Sequence, residues 1–195
     1  MKRILSIGVI IMGLAFSAIF AQNKYSFDLS HSALGFEVKH MVISTVDGKF
    51  KKFDGSLEFD GKDPLNIKVN VAVDMNSIDT DEEKRDGHLK SPDFFDVANY
   101  PTATFVSKKV VKKNDKYEMI GDLTLKGVTK EIAIPFAFNG SITDPWGNTR
   151  VGFEGSTVIN RKDFGVTWNK TMDNGGLVVG NEVKLKIHLE AILQK

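Results

Sequence analysis

From residue 25 onward, apolar and polar residues alternate one by one in many short segments, and this alternation constrains the fold more than any other feature. In residues 66–74, for example, Ile67, Val69, Val71 and Val73 are separated by residues that are mostly polar. Successive side chains of a β-strand point to opposite faces, so the segment predicts a strand with one buried and one solvated face.

The same alternation recurs along the chain, and turn-forming residues separate the segments. Many short amphipathic strands joined by tight turns favour a mainly β, antiparallel sheet with one buried side, and closing the sheet into a barrel removes its exposed edges. Tight turns are predicted at Asp47-Gly48, Asp54-Gly55, Asp60-Gly61, Asn139-Gly140 and Trp146-Gly147-Asn148. The other apolar positions with this parity are Leu34, Phe36, Val38, Leu57, Phe59, Tyr117, Met119, Leu123, Leu125, Ile132, Ile134, Phe136, Phe138, Val151, Phe153, Thr157, Ile159, Leu185, Ile187, Leu189 and Ala191.

Residues 81–90 interrupt the strands, because they are rich in Glu, Lys, Arg and Leu and predict a short helix with Thr80 as its N-cap. Ser91 and Pro92 then predict a second helix start. The sequence therefore predicts a helical insert of roughly twenty residues, which is long enough to cover one end of a barrel.

The first 21 residues predict a cleaved secretory signal peptide, since Lys2 and Arg3 precede an apolar run that ends near small residues. Cleavage after Ala21 would leave Gln22 first, and the alternatives are cleavage after Ala18 or an uncleaved anchor helix. We therefore expect a periplasmic or secreted protein with one domain, residues 22–195, and no stable membrane anchor after cleavage.

Composition excludes several classes of function. Without Lys2 and Arg3 the 26 basic residues fall to 24, against 25 acidic residues, and the lysines are dispersed, which argues against a nucleic-acid partner. The chain has no Cys, so disulfides and thiol chemistry are excluded. The four histidines are not spaced as metal ligands, and we find no nucleophile elbow, calcium loop or dinucleotide fingerprint, so no metal and no cofactor are predicted.

Residues 85–101 raise the one question of chemistry, because polar side chains surround an aromatic pair. This composition fits either a catalytic loop or the polar rim of an apolar site. Alternation alone leaves a second question open, since a filled core and a ligand cavity require the same inward-facing residues. The residues concerned are Arg85, Asp86, His88, Asp93 and Asp96 around Phe94 and Phe95.

Five long segments resemble the YceI-like family of periplasmic polyisoprenoid-binding or lipid-binding proteins. The resemblance implies a lipocalin-like antiparallel β-barrel of about eight strands with a short helical insert, enclosing a hydrophobic tunnel for a long-chain isoprenoid or other amphiphilic lipid. It also implies a protein that is not an enzyme and that serves in lipid carriage, storage or sequestration. The segments are DLSHSALGFEVKHMVISTVDGKF (28–50), SIDTDEEKRDGHLKSPDFFDVANYPTATF (77–105), GDLTLKGVTKEI (121–132), INRKDFGV (159–166) and VGNEVKLKIHLEA (179–191).

With the resemblance, residues 85–101 are interpreted as a lid on the barrel end. An enzyme that modifies such a lipid, with His88 and Asp86 as an acid-base pair, is the alternative, and a homodimer is left open. The expected ligand-binding residues are Phe36, Val38, Val69, Val71, Phe94, Phe95, Phe136, Phe138, Phe153 and Ile187. The expected head-group or lid-anchoring residues are His40, Arg85, Asp86, His88 and Arg161.

Overall fold

The structure, a computed structural model, describes residues 22–173 and 175–195, so the predicted signal peptide lies outside the described residues. No helix within those two ranges is long and apolar enough to cross a membrane. The described elements are β1 (Asn23–Phe27), β2 (Ala33–His40), β3 (Ser44–Phe50), β4 (Phe53–Phe59), β5 (Lys68–Asp74), β6 (Ile78–Asp79), α1 (Glu83–Lys90), β7 (Thr102–Lys113), β8 (Lys116–Leu125), β9 (Val128–Thr143), β10 (Thr149–Asn160) and β11 (Val179–Leu193), with short 3-10 turns at Pro64–Asn66, Met75–Ser77 and Arg161–Phe164.

The strands form one antiparallel sheet that closes on itself. β1 and β2 lie one after the other along β11, with Tyr25 opposite Leu193 and Val38 opposite Val183. β3 and β4 follow in the next position of the ring, and then β5 and β6, because β4 pairs with β1 and β5 while β3 pairs with β2 and β6. The eleven strands therefore occupy eight positions around a closed barrel, which confirms the predicted fold class.

The inward parity predicted from the sequence is confirmed, and at one end of the barrel side chains fill the interior. Phe59 is fully buried there and makes edge contacts with Phe138 and Phe153, with ring centroids 5.2 and 5.8 Å apart. Tyr25 and Val151 pack into the same cluster. This filled end lies where β1 meets β11, and the opposite end is covered by the lid.

Three predicted turns are wrong, because Asp47-Gly48, Asp54-Gly55 and Asn139-Gly140 lie inside β3, β4 and β9. At two of them the glycine makes room for an aromatic ring. A Cβ atom on Gly48 would clash with Cζ of Phe36, and one on Gly55 would clash with the carbonyl oxygen of Asn70 and lie 2.5 Å from Cε2 of Phe27. The predicted turns at Asp60-Gly61 and at residues 146–148 are confirmed, with Asp60 and Asp144 accepting backbone hydrogen bonds.

The helical insert is shorter than predicted. Its N-cap is Glu82, whose carboxylate accepts hydrogen bonds from the backbone N–H groups of Lys84 and Arg85. Thr80 was the predicted cap, but its backbone N–H and its hydroxyl both donate to Asp86 Oδ1. The second helix predicted at Ser91 is a series of turns, in which the Ser91 carbonyl accepts two backbone hydrogen bonds.

A cluster of ionised side chains fastens the filled end, where the break between β1 and β2 faces the β9–β10 turn. Arg150 Nε donates to Asp144 Oδ2 over 2.7 Å, and Arg150 Nη1 donates over 2.6 Å to both Asp28 Oδ2 and Glu190 Oε1. A hydrogen bond from Ser30, followed by those from His31 and Arg150, holds the pKa of Asp28 well below its usual range. The Arg150 guanidinium lowers the pKa of Asp144 in the same way.

We expect Arg150→Met to lower the midpoint of thermal unfolding at pH 7 by several degrees, because it leaves three carboxylates close together without their cation. Carboxylates with a depressed pKa stabilise the fold above the pKa of the unfolded chain, near 4, and lose that contribution as the pH falls through the folded value. The difference from the parent should therefore shrink below about pH 4. Thermal melts at several pH values test this, with the exposed Lys130→Met as control, and a difference that is constant with pH would contradict it.

Candidate functional site

A cavity of about 260 Å³ lies inside the barrel between the filled end and the lid. Its wall is almost entirely apolar, and all eight ring positions contribute to it. The arrangement follows from the alternation, since each strand turns every second side chain inward. The wall includes Phe27, Leu34, Phe50, Phe53, Leu57, Ile67, Met75, Ala103, Phe105, Met119, Leu123, Ile132, Ile134, Leu185 and Leu189.

The structure brings together nine of the ten residues that were expected to bind the ligand. These nine are Phe36, Val38, Val69, Val71, Phe94, Phe95, Phe136, Phe153 and Ile187. Phe138 does not line the cavity, although it points inward, because its ring stacks on Phe153 with centroids 5.2 Å apart and belongs to the filled end.

The lid, residues 85–101, covers the other end of the cavity. Leu89, Phe94 and Phe95 turn from it into the cavity wall. A second space of about 190 Å³ lies beside the lid and shares Phe36, Val38, Leu89, Phe94 and Val179 with the cavity. His40, Arg85 and His88 line this second space, which we call the mouth.

Arg85 and Asp86 fasten the lid helix to the strand that precedes it. Arg85 Nε donates to Thr80 Oγ1 over 2.8 Å, and Arg85 Nη2 donates to the Thr80 carbonyl over 2.6 Å. Asp86 accepts two hydrogen bonds from the same threonine, which is buried. The pair therefore clamps Thr80, which accounts for its burial and for its failure to cap the helix.

His88 lies in a different cluster from Asp86. Its Nε2 is 3.0 Å from Asp93 Oδ2, and its ring makes edge contacts with Phe94 and Trp168, with centroids 4.9 Å away in each case. The two members of the hypothetical acid-base pair thus have separate partners. Trp168 joins the lid to the segment after β10, and sequence reasoning missed it, although a lone Trp between polar residues was the available signal.

We expect His88→Ala to loosen the lid and to abolish no enzymatic turnover. Each lost aromatic contact is worth roughly 0.5–1.5 kcal/mol, so amide exchange in residues 83–97 should speed up by a few-fold or more. Hydrogen exchange followed by mass spectrometry measures this, and Lys84→Ala, on the exposed side of the same helix, is the control. Exchange that is unchanged in His88→Ala would show that the ring does not hold the lid.

Arg161 is the one wall residue, among those described, whose side chain is both charged and buried, with 4% of its surface exposed. Its guanidinium donates to the backbone carbonyls of Val166 and Gly180 over 2.7 and 2.8 Å, and more weakly to that of Val179. Burial lowers the pKa of this guanidinium from its ordinary value. Because these partners are neutral carbonyls and no carboxylate among the described residues pairs with Arg161, its positive charge lies without a counter-ion beside an apolar cavity, near the lid.

Asp28, His31 and Glu190 bring ligand atoms within 4.8 Å of one another, and among the described residues this is the one group close enough to hold a metal ion. The Arg150 guanidinium already pairs with both carboxylates and is itself the cation of the group. The group lies on the outer face of the barrel wall, because the neighbouring Phe27 and Leu189 face the cavity.

Comparisons with known proteins agree with this geometry. The model of the YceI-like domain matches residues 25–191. The chain is 41% identical over 179 residues to Protein YceI of Salmonella newport, which covers 92% of this chain and 91% of that protein. It superposes on the crystal structure of Burkholderia cenocepacia BcnA with a TM-score of 0.73 and 27% identity, over 84% of this chain and 98% of the other. A polyisoprenoid binding domain from Saccharophagus degradans matches with a TM-score of 0.67 over 87% and 98%, and its 17% identity makes this a likeness of fold alone.

Proposed function

Because the chain belongs to the YceI-like family, we propose that it is a non-enzymatic periplasmic protein that encloses the apolar chain of an isoprenoid or related amphiphilic lipid. The observation that carries the proposal is a cavity with an apolar wall and one buried cation near the lid. A hydrocarbon chain needs such a wall, and a polar head group needs a donor at one end. The barrel thus has the polarity of an amphiphile.

The bound lipid is oriented with its tail toward the filled end and its head group toward Arg161. The aromatic wall around Phe136 and Phe153 offers dispersion contacts and no hydrogen bonds, which suits a hydrocarbon terminus. Three of the five N–H groups of Arg161 donate to backbone carbonyls, so two are left for a head-group oxygen, which would compensate a charge that pairs with no carboxylate of the described residues. His40, Arg85 and His88 at the mouth are the next polar groups that such a head group meets.

The length of the lipid requires the lid to move. The cavity of about 260 Å³ is just below the range of roughly 300–1,000 Å³ that is typical of ligand sites. A long chain therefore also occupies the mouth, and its entry displaces Phe94 and Phe95. The contacts of His88 with Phe94 and Trp168 are the ones that such a movement breaks.

We favour lipid binding over acid-base chemistry on a lipid, because His88 and Asp86 have separate hydrogen-bond partners and do not form a pair. Asp86 accepts from Thr80, and His88 pairs with Asp93. Carriage, storage and sequestration all require the same cavity, and the periplasmic address rests on the signal peptide predicted for residues 1–21.

Native mass spectrometry of protein purified from its own host tests the proposal, followed by organic extraction and identification of the released molecule. We expect a bound lipid with a prenyl chain, and an intact protein mass that corresponds to a chain beginning at or near Gln22. Protein that carries no lipid and takes up no prenyl alcohol, or turnover of a prenyl lipid that is lost in His88→Ala, would contradict it.

A further inference from the structure

The turn between β2 and β3 exposes three consecutive aliphatic or thioether side chains. Met41, Val42 and Ile43 are 39%, 72% and 88% exposed. The backbone there is unusual as well, since Met41 has φ = 50° and Val42 has φ = 67°. Side chains without a local hydrogen bond to offer rarely adopt this region, and a β-branched residue does so least of all. Apolar side chains are therefore held in water at a turn where Asn or Gly would cost less.

This apolar tip, residues 41–43, stands at the mouth. His40, the preceding residue, lines the mouth, and Met41 N–H donates to the carbonyl of Val178, which also lines it, over 2.9 Å. The β9–β10 turn, where Trp146 is 78% exposed, lies at the other end of the barrel, because Arg150 pairs with Ile192 near the end of β11, whereas His40 pairs with Val179 at its start. The tip is thus an apolar projection at the end through which a lipid enters.

Two lysines lie at the base of the tip, Lys39 and Lys170. Residues 38–46 contain no carboxylate, and they include Lys39, whose Nζ donates to Thr45 Oγ1. Lys170 lies on the neighbouring hairpin, where its carbonyl accepts a hydrogen bond from Val178 N–H. Its side chain is exposed and forms no ion pair with any described residue. Asp173 is the acidic residue of that hairpin. An apolar projection with lysines at its base matches the layered chemistry of a bilayer, in which acyl chains lie beneath anionic head groups.

We propose that residues 41–43 insert into the surface of a bilayer that contains anionic lipid and so place the mouth against the membrane. The membrane would then be the donor or acceptor of the carried lipid, and this part of the inference rests on the proposed function. A protein partner is a poorer fit than a membrane. The tip carries no side-chain hydrogen-bonding group, and its three side chains offer much less than the roughly 800 Å² that each partner buries in a specific protein interface. Three short side chains give weak and reversible docking, as a protein that must leave the membrane with its cargo requires.

The test uses ligand-free protein and two sets of vesicles, phosphatidylcholine alone and phosphatidylcholine with phosphatidylglycerol. We expect binding to the anionic vesicles in a flotation assay, and a loss of roughly tenfold or more in the double variant Val42→Asp, Ile43→Asp. Asp tolerates a positive φ, so the double variant should fold, which thermal melting checks. Lys39→Glu with Lys170→Glu should weaken binding to anionic vesicles and leave binding to neutral vesicles unchanged. Trp146→Asp, at the opposite end, is the matched control and should bind like the parent.

The outcomes separate this inference from the proposed function. Vesicle binding that is unchanged in the tip variant, or reduced equally by Trp146→Asp, overturns the inference. Self-association that is lost in the tip variant while vesicle binding stays the same would assign the tip to a second copy of the chain, and would overturn it too. Uptake of a dispersed prenyl alcohol is measured without vesicles, so its failure in every variant refutes the proposed function and leaves the vesicle result standing.

Discussion

Val71→Glu is expected to lower the affinity for a prenyl alcohol by roughly a hundredfold, because it places an unpaired carboxyl group in the cavity wall. Val71 lies in β5 opposite Gly55 and Phe105, and it lines the cavity. The new carboxyl group would have to be desolvated by the lipid chain, which offers it no hydrogen bond, whether it is ionised or protonated. Fluorescence or calorimetric titration of the alcohol measures the loss.

Asn70→Glu is the matched control, since it introduces the same side chain one residue earlier on the exposed face of β5. Its neighbours across the strands are Ser56 and Val106, so no like charge lies directly opposite. We expect binding to stay within a few-fold of the parent. Circular dichroism of both variants shows whether the barrel is intact, and equal binding by Val71→Glu and the parent would show that β5 does not contact the lipid.

The second large effect is a dependence of affinity on chain length. Drug-sized ligands gain about 0.3 kcal/mol per heavy atom, so each five-carbon unit should contribute about 1.5 kcal/mol, or roughly a tenfold gain in affinity. This is well below the burial value of about 0.8 kcal/mol per methylene, because ordering the chain and moving the lid oppose binding. A titration series of prenyl alcohols of increasing length measures the slope.

The gain should end where the chain fills the cavity and the mouth. Beyond that length, further units remain in water and add nothing to the affinity. Phe36→Ala, which removes a ring from the wall shared by both spaces, should move this end point to longer chains. An affinity that does not change with length would contradict a tunnel and favour recognition of the head group alone.

The wall of the barrel could be predicted because strand geometry requires so little information. A period of two assigns each residue to one face, and the predicted inward positions from Leu34 to Ala191 follow it in the structure. The depth at which a residue lies along the barrel does not follow from parity, which is why Phe136 faces the cavity while Phe138 packs into the filled end.

Turn residues were less informative because glycine has two uses in a barrel. Gly61 and Gly147 adopt positive φ in turns, as expected, whereas Gly48 and Gly55 leave space for rings on neighbouring strands. A sequence alone does not distinguish a turn glycine from one that leaves space for a ring, because the ring can lie far away along the chain. Gly55 is contacted by Phe27 in this way.

The polar part of the site was the hardest to predict, because its partners come from the backbone or from distant segments. Arg161 is held by the backbone carbonyls of Val166 and Gly180. Every residue has a backbone carbonyl, so the sequence does not indicate which ones Arg161 contacts. His88 pairs with Asp93 rather than with Asp86, since the turn after α1 brings Asp93 back to the helix. Composition singled out the segment, but only the three-dimensional arrangement separates a clamp from an acid-base pair.

The position of β11 determines when the cavity can first exist. β11 joins β10 to both β1 and β2, and the hydrogen bond between Ser26 and Gln194 spans 168 residues. Contacts so distant in sequence form slowly, because a large loop must close before they contribute. Without β11, the pairing leaves two separate sheets, one of β1, β4, β5 and β7 to β10 and one of β2, β3 and β6, whose apolar faces would lie in water and be prone to association. Under the proposed function, a lipid already on the inward face at that stage would be enclosed when β11 joins the two sheets.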